Sequence, residues 1–68
     1  GGDDYVILSN LIKHELGHAF GQLQHVADQQ IMNPNADYGN AALDYVDDDK
    51  KAFQLNVFTL IKRFIAKK

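Results

Sequence analysis

Three histidines and one glutamate carry most of the chemistry that this sequence offers. His14, Glu15 and His18 lie within one segment, HELGH, whose surroundings have helical periodicity. Residues four apart in a helix lie on the same face, one turn apart, so both imidazoles can bind one metal ion. Neutral imidazole nitrogen is a good zinc ligand. The Glu15 carboxylate can then act as a general base, taking a proton from the attacking water without ligating the metal.

A third ligand is needed, because catalytic zinc usually takes three protein ligands and keeps one position open. On an uninterrupted helix His25 would lie roughly 10 Å beyond His18 along the axis, which is too far. Gly21 stands where the chain must turn, and glycine adopts positive φ without strain. The residues therefore predict a site for one Zn²⁺ ion formed by His14, His18 and His25. Asp28 is the reserve ligand, because carboxylate oxygen also binds zinc.

Two helices and a long loop are expected to position these residues. Apolar residues at spacings of three and four predict a first helix from about residue 4 to 23. A second apolar stripe predicts a helix from about residue 47 to 66, with Asp47 as its cap. The segment between them, about residues 24–46, contains the only proline and two Asn-rich stretches, which predicts an irregular loop. The predicted fold class is mainly α, with the loop held in place by the metal.

Composition narrows the class of protein. The chain has 68 residues, which suggests one small domain or a piece of a larger one, and many chains this short need a metal or a partner. The absence of cysteine excludes disulfides and thiolate zinc sites. A net charge of -2 argues against general nucleic-acid binding. No stretch approaches the roughly 20 apolar residues of a membrane span, and no signal peptide is visible.

The order His14-Glu15-x-x-His18-x-x-Gly21 resembles the zinc-binding signature of the metzincins, a family of zinc-dependent peptidases. The resemblance implies that His14, His18 and the later His25 bind zinc, and that Glu15 is the general base. The family places its third histidine three residues after the glycine. In this sequence Gln24 occupies that position and His25 follows it.

The resemblance extends beyond the histidines, over about residues 6–56. Ile31-Met32-Asn33-Pro34 is similar to the Met-turn of the matrixins, in which the methionine lies beneath the metal. Asp48 and Asp49 are similar to the acidic pair that opens the matrixin C-terminal helix and helps to anchor that turn. The resemblance therefore implies that Gly21, Met32, Asp48 and Asp49 support the site.

The function that the resemblance implies is a zinc endopeptidase acting on a peptide or protein substrate. The chain would then correspond to the C-terminal part of an α+β zincin-like catalytic domain. Only 13 residues precede His14, so an N-terminal sheet subdomain is expected to be missing. The family's habit favours a secreted or extracytoplasmic location. The residues themselves leave two alternatives open: a non-catalytic or degenerate zinc-binding module, and a metal-free helical interaction domain.

Overall fold

The computed structural model describes residues 2–67, which form two helices joined by an irregular segment. Helix α1 spans Gly2–Ala19 and helix α2 spans Asp47–Ala66. Turns and bends follow one another through residues 20–46, and no strand occurs among residues 2–67. The prediction of a mainly helical chain with two helices is thus confirmed for this part of the sequence.

Helix α1 ends at Ala19, earlier than the predicted end near residue 23. Hydrogen bonds close this end: the Phe20 N–H donates to the Leu16 carbonyl at 2.9 Å, and the Leu23 N–H donates to the Gly17 carbonyl at 2.9 Å. The apolar periodicity continues past Ala19, but Leu23 is buried in the loop core while Phe20 is exposed, and neither forms a further helical turn. Spacing alone does not distinguish these two arrangements, which explains the error in the prediction.

The turn after α1 depends on Gly21 for space and not for positive φ. No glycine of residues 2–67 has positive φ, and the left-handed conformation falls on Gln22, at φ 54°. The expectation that Gly21 adopts positive φ is therefore wrong. A Cβ at Gly21 would lie 2.5 Å from the Phe53 Cδ2 atom and 2.9 Å from the Gly17 carbonyl oxygen. Only glycine allows α2 to approach this turn so closely.

Helix α2 coincides with the predicted range, but its cap differs. The N-cap residue is Val46, which is extended and provides no side-chain hydrogen bond. Asp47 is the first helical residue, so its prediction as the cap is wrong. Three acidic residues occupy the first turn and Arg63 lies in the last, an arrangement that the helix dipole favours at both ends.

The apolar core lies in the irregular segment. The buried apolar residues of the described chain all fall between the two helices: Leu23, Ile31, Met32, Ala36 and Leu43. Helix α2 contributes no buried residue and only packs Ala52 and Phe53 against this core. The histidine-bearing helix α1 is therefore held mainly by the loop.

Both helices leave large apolar side chains exposed. On α1 these are Tyr5, Ile7, Leu8, Leu11, Ile12 and Leu16. On α2 they are Leu55, Phe58, Leu60, Ile61, Phe64 and Ile65. Neither α1 nor α2, within residues 2–67, combines the length and apolar character that a membrane span requires.

Candidate metal centre

The three histidines converge on one point. His14 and His18 lie one turn apart on α1, and the turn after α1 brings His25 back to them. The ring centroids are 4.8 Å apart for His14–His18, 5.2 Å for His14–His25 and 4.9 Å for His18–His25. One ring nitrogen from each residue lies within 4.8 Å of the other two. Tetrahedral zinc at about 2.0–2.1 Å places its ligand nitrogens roughly 3.3 Å apart and their rings roughly 5 Å apart, so the triangle fits such an ion.

Hydrogen bonds fix the tautomers of the two helical histidines. The His14 Nδ1 atom is 2.7 Å from the Ile31 carbonyl oxygen, and the His18 Nδ1 atom is 2.8 Å from the Leu23 carbonyl oxygen. Because a carbonyl only accepts, both Nδ1 atoms carry the hydrogen in the neutral rings. Both Nε2 atoms then present lone pairs, and these atoms lie 3.1 Å apart. Two facing lone pairs at this distance require a cation between them, either a metal ion or an additional proton.

The backbone of the loop holds His25 in position. The N–H of the next residue, Val26, donates to the Met32 carbonyl at 3.1 Å. His25 is exposed, whereas His14 is buried and His18 is half-buried. The site therefore opens to solvent on the His25 side. Asp28, the predicted reserve ligand, is not part of the convergent group, and its carbonyl instead accepts a hydrogen bond from the Gln30 N–H within a tight turn.

Met32 lies directly against the helix that carries two of the histidines. Its side chain is fully buried, and a Cβ at Gly17 would lie 2.6 Å from its sulfur atom. The preceding residue, Ile31, is also fully buried and provides the carbonyl that accepts from His14. Ile31 therefore holds the first histidine, and Met32 packs against α1 at Gly17. The Met-turn role of Met32 stays a prediction.

Glu15 follows the first histidine and is exposed. Its carboxylate is not one of the convergent ligand groups. It lines a shallow apolar depression on the solvent side of α1, whose other residues are Leu11, Ile12, Leu16 and Ala19. The carboxylate is therefore accessible to solvent, and its role as a general base stays a prediction.

The two acidic residues at the start of α2 differ in their exposure. Asp48 is exposed and Asp49 is half-buried. The Oδ2 atom of Asp49 is buried without a hydrogen-bond partner among the described residues. Burial and, secondarily, the Asp48 charge raise the pKa of Asp49. An anchoring role for this pair in the Met32 turn stays a prediction.

Asn10 and Tyr38 also belong to the site, although sequence reasoning did not select them as site residues. Asn10 is 3% exposed, and its Nδ2 atom donates to the Tyr38 carbonyl at 2.8 Å and to the Asn40 carbonyl at 3.0 Å. The Tyr38 hydroxyl lies 3.0 Å from the His14 Nδ1 atom. Asn10 could have been found, because it lies four residues before His14 and so shares its face. Tyr38 has no comparable signal in the sequence.

The environment of Tyr38 keeps its phenol protonated. Burial and, to a smaller extent, the Glu15 carboxylate raise the pKa of Tyr38. The hydroxyl therefore remains a hydrogen-bond donor at neutral pH.

The arrangement consists of three converging imidazoles, fixed tautomers, a buried methionine beneath α1 and an exposed carboxylate beside the first histidine. Comparisons with family models, curated proteins and solved structures find no match to this chain.

Proposed function

We propose that this chain is the zinc-binding part of a peptidase, with His14, His18 and His25 as the ligands and Glu15 as the general base. The observation that supports it most is the pair of Nε2 lone pairs facing each other at 3.1 Å, with a third imidazole beside them. Such a pair is unfavourable without a cation, and three imidazoles suit zinc. The third histidine also makes a metal ion a better occupant than a shared proton.

The ligand count favours a catalytic site over a closed structural one. No Asp, Glu or further His of residues 2–67 joins the three histidines, and the sequence has no cysteine. Structural zinc sites usually have four protein ligands, whereas catalytic sites have three and an open position. The exposure of His25 places that open side towards solvent. This feature supports the peptidase over the non-catalytic zinc module.

The proposed reaction is hydrolysis of a peptide bond. When bound, zinc supplies a Lewis acid that polarises the scissile carbonyl. Glu15 takes a proton from the water that attacks this carbonyl and delivers it to the leaving amine nitrogen as the C–N bond breaks. Leu16 and Ala19, on the far side of the depression beside Glu15, offer a surface for an apolar substrate side chain.

A peptidase cleft needs a second wall, and α1 offers a surface on which such a wall can pack. The exposed face formed by Leu8, Leu11 and Ile12 lies next to Glu15 along the helix. We propose that the sheet subdomain implied by the metzincin resemblance covers this face. Apolar burial would then position the substrate strand beside Glu15.

Zinc binding is the first test. We expect one zinc per chain by metal analysis, and a loss of affinity of at least 100-fold in His25→Ala. Gln24→Ala is the matched control, because Gln24 occupies the family's usual ligand position, is exposed and has no imidazole. It should bind zinc like the parent. A parent chain that binds no zinc after reconstitution, or an unaffected His25→Ala variant, would overturn the proposal.

The catalytic role is tested with Glu15→Gln, which keeps the shape of the side chain but removes the base. We expect full zinc occupancy and a loss of peptide hydrolysis of roughly 10²–10⁴-fold, measured on a peptide library at saturating zinc. Equal hydrolysis by the two proteins would overturn the role of Glu15 as the base. Zinc binding without hydrolysis in either protein would favour the non-catalytic module for the chain without a second wall of the cleft.

A further inference from the structure

The His14 Nδ1 atom has two oxygen neighbours and not one. The Ile31 carbonyl oxygen lies 2.7 Å away and the Tyr38 hydroxyl oxygen lies 3.0 Å away. A ligating histidine commonly has one such partner, which fixes its orientation and tautomer. The second oxygen comes from a residue that is 24 positions away in the chain. Its placement therefore depends on how the loop returns to α1.

The direction of the Tyr38 hydroxyl follows from its other contacts. It donates its hydrogen to the Asn33 carbonyl at 2.6 Å, and the Ile31 carbonyl lies at the longer distance of 3.5 Å. With its hydrogen used there, the oxygen presents a lone pair to His14. Both oxygens near Nδ1 are then acceptors, and this arrangement is compatible only with a hydrogen on Nδ1. The lone pair of His14 is thereby placed on Nε2, on the side of His18 and His25.

Tyr38 is itself held from α1, through its backbone and through its side chain. Its carbonyl accepts a hydrogen bond from the buried Asn10 amide at 2.8 Å, one turn before His14 on the same helix. Its ring stands edge-on to the imidazole, with centroids 5.9 Å apart and an interplanar angle of 88°. The tyrosine is thus attached to α1 at two points, through Asn10 and through His14. Such attachment restricts the rotation of the imidazole.

We propose that Tyr38 is a positioning residue of the metal site, whose hydroxyl holds His14 in the tautomer and orientation that direct Nε2 to the metal. This inference rests on the proposed three-histidine zinc site. Tyr38 does not ligate the metal. It acts through His14, and its removal should leave the three ligands present but the first of them less well oriented. Partners of this kind typically contribute 10–100-fold to metal affinity.

Tyr38→Phe and Tyr45→Phe form a matched pair for the test. The Tyr45 hydroxyl also donates from the loop to α1, to the Lys13 carbonyl at 2.6 Å. It contacts no histidine, so Tyr45→Phe removes a hydroxyl and a loop-to-helix hydrogen bond without touching a ligand. We expect zinc affinity to fall roughly 10–100-fold in Tyr38→Phe and to stay within about threefold of the parent in Tyr45→Phe.

Two further measurements separate positioning from general loosening of the loop. Helicity by circular dichroism should be the same in both variants, which establishes that each is folded. With Co²⁺ in place of zinc, the visible d–d absorption reports ligand geometry, and we expect its band position and intensity to change in Tyr38→Phe alone. Equal spectra and equal zinc affinities in the two variants would overturn the role of Tyr38.

These measurements also distinguish a failure of the positioning role of Tyr38 from a failure of the proposed zinc site. If the parent binds zinc and His25→Ala does not, but Tyr38→Phe matches Tyr45→Phe, only the positioning role fails. If the parent binds neither Zn²⁺ nor Co²⁺, the metal site fails and the role of Tyr38 fails with it. A Tyr38→Phe defect that Tyr45→Phe does not share supports both.

Discussion

The segment between the helices and the second helix differ in a way that reverses the usual expectation. Residues 20–46 have no regular structure, yet they contain all of the buried apolar residues that the structure describes. Helix α2 has 20 residues in regular structure and buries none of them. Loops usually lie on the surface of a domain while helices form its core. In this chain the loop is the core, and the helices lie around it.

Helix α1 shows the same reversal between its two sides. The side that faces the loop buries Asn10, His14 and Gly17, which are polar or have no side chain. The opposite side exposes apolar residues such as Leu8 and Ile12. Burial of apolar area therefore contributes little to holding α1 on the loop. Hydrogen bonds from Asn10 and His14 position it instead, and a bound metal would add the strongest contact.

The site and the fold depend on each other. The accessible surface is 5022 Å², whereas a compact monomer of this mass exposes about 4,300 Å². The excess surface lies on the helices, and the loop that forms the site is packed to full burial at Ile31 and Met32. We infer that the order of the loop matters most for the chemistry, because the loop holds the histidines together, whereas the apolar faces of the helices are exposed.

The largest expected effect on stability comes from comparing one substitution in the loop with the same substitution in α2. Ile31→Ala removes a side chain with no exposure from the loop, while Ile65→Ala removes the same atoms from α2, where the residue is 63% exposed. We expect Ile31→Ala to lower the free energy of unfolding by about 2–5 kcal/mol. Ile65→Ala should change it by less than about 0.5 kcal/mol. Urea unfolding of the zinc-loaded protein, followed by circular dichroism, measures both.

A large loss in Ile65→Ala would contradict the contrast. It would show that α2 is covered in solution, and a second copy of the chain would then be the first occupant to examine. The mass measured by light scattering, in the parent and in Ile65→Ala, distinguishes a dimer from a monomer. Equal small losses in both variants would instead mean that the loop is not the core.

Local spacing in the sequence was enough to predict the range of the second helix and the convergence of the three histidines. The range of α2 follows from its apolar stripe and from its acidic start, both of which lie within the helix itself. His14 and His18 share a face because they are four residues apart. The return of His25 was inferred from the need for a break near Gly21, and the chain does turn there.

Contacts between distant residues explain what the sequence did not reveal. The end of α1 depends on Phe53 packing against Gly21, 32 residues later in the chain. Asn10 and Tyr38 meet across 28 residues. No periodicity in either segment encodes these pairs, because each residue alone looks like an ordinary polar or aromatic residue. Prediction therefore fails where the loop returns to α1 and succeeds where the pattern is local.

The next largest expected effect comes from the close contact between α1 and the loop at Gly17. A Cβ there would lie 2.6 Å from the Met32 sulfur and 3.2 Å from the Tyr45 Cε1 atom. We expect Gly17→Ala to lower the free energy of unfolding by about 1–2 kcal/mol, because overpacking costs about 1–3 kcal/mol and alanine regains up to about 1 kcal/mol in a helix. The zinc affinity should also fall, since Met32 lies beneath the histidine-bearing turn.

Gly39→Ala is the control for this substitution. Its nearest neighbour would be the Asp37 Oδ1 atom at 3.3 Å, and Gly39 is exposed. Its free energy of unfolding should stay within about 0.5 kcal/mol of the parent. A Gly17→Ala variant as stable as Gly39→Ala would mean that Met32 can move away at no cost, and the loop core would then be looser than its burial indicates.

The smallest effect is expected where α1 passes into the loop, at Gln22. This exposed residue has φ 54°, a conformation that costs an L-residue roughly 1–2 kcal/mol and glycine much less. Gln22→Gly should therefore raise the free energy of unfolding by about 0.5–1 kcal/mol, after the greater freedom of glycine in the unfolded chain is subtracted. Gln24→Gly, two residues later and without positive φ, should lower it. If both variants are destabilised, the turn that returns His25 to the helix does not have the left-handed conformation in solution. If only Gln24→Gly is destabilised, Gln22 has the left-handed conformation in solution. The turn that brings the third histidine to the other two then contains a strained residue.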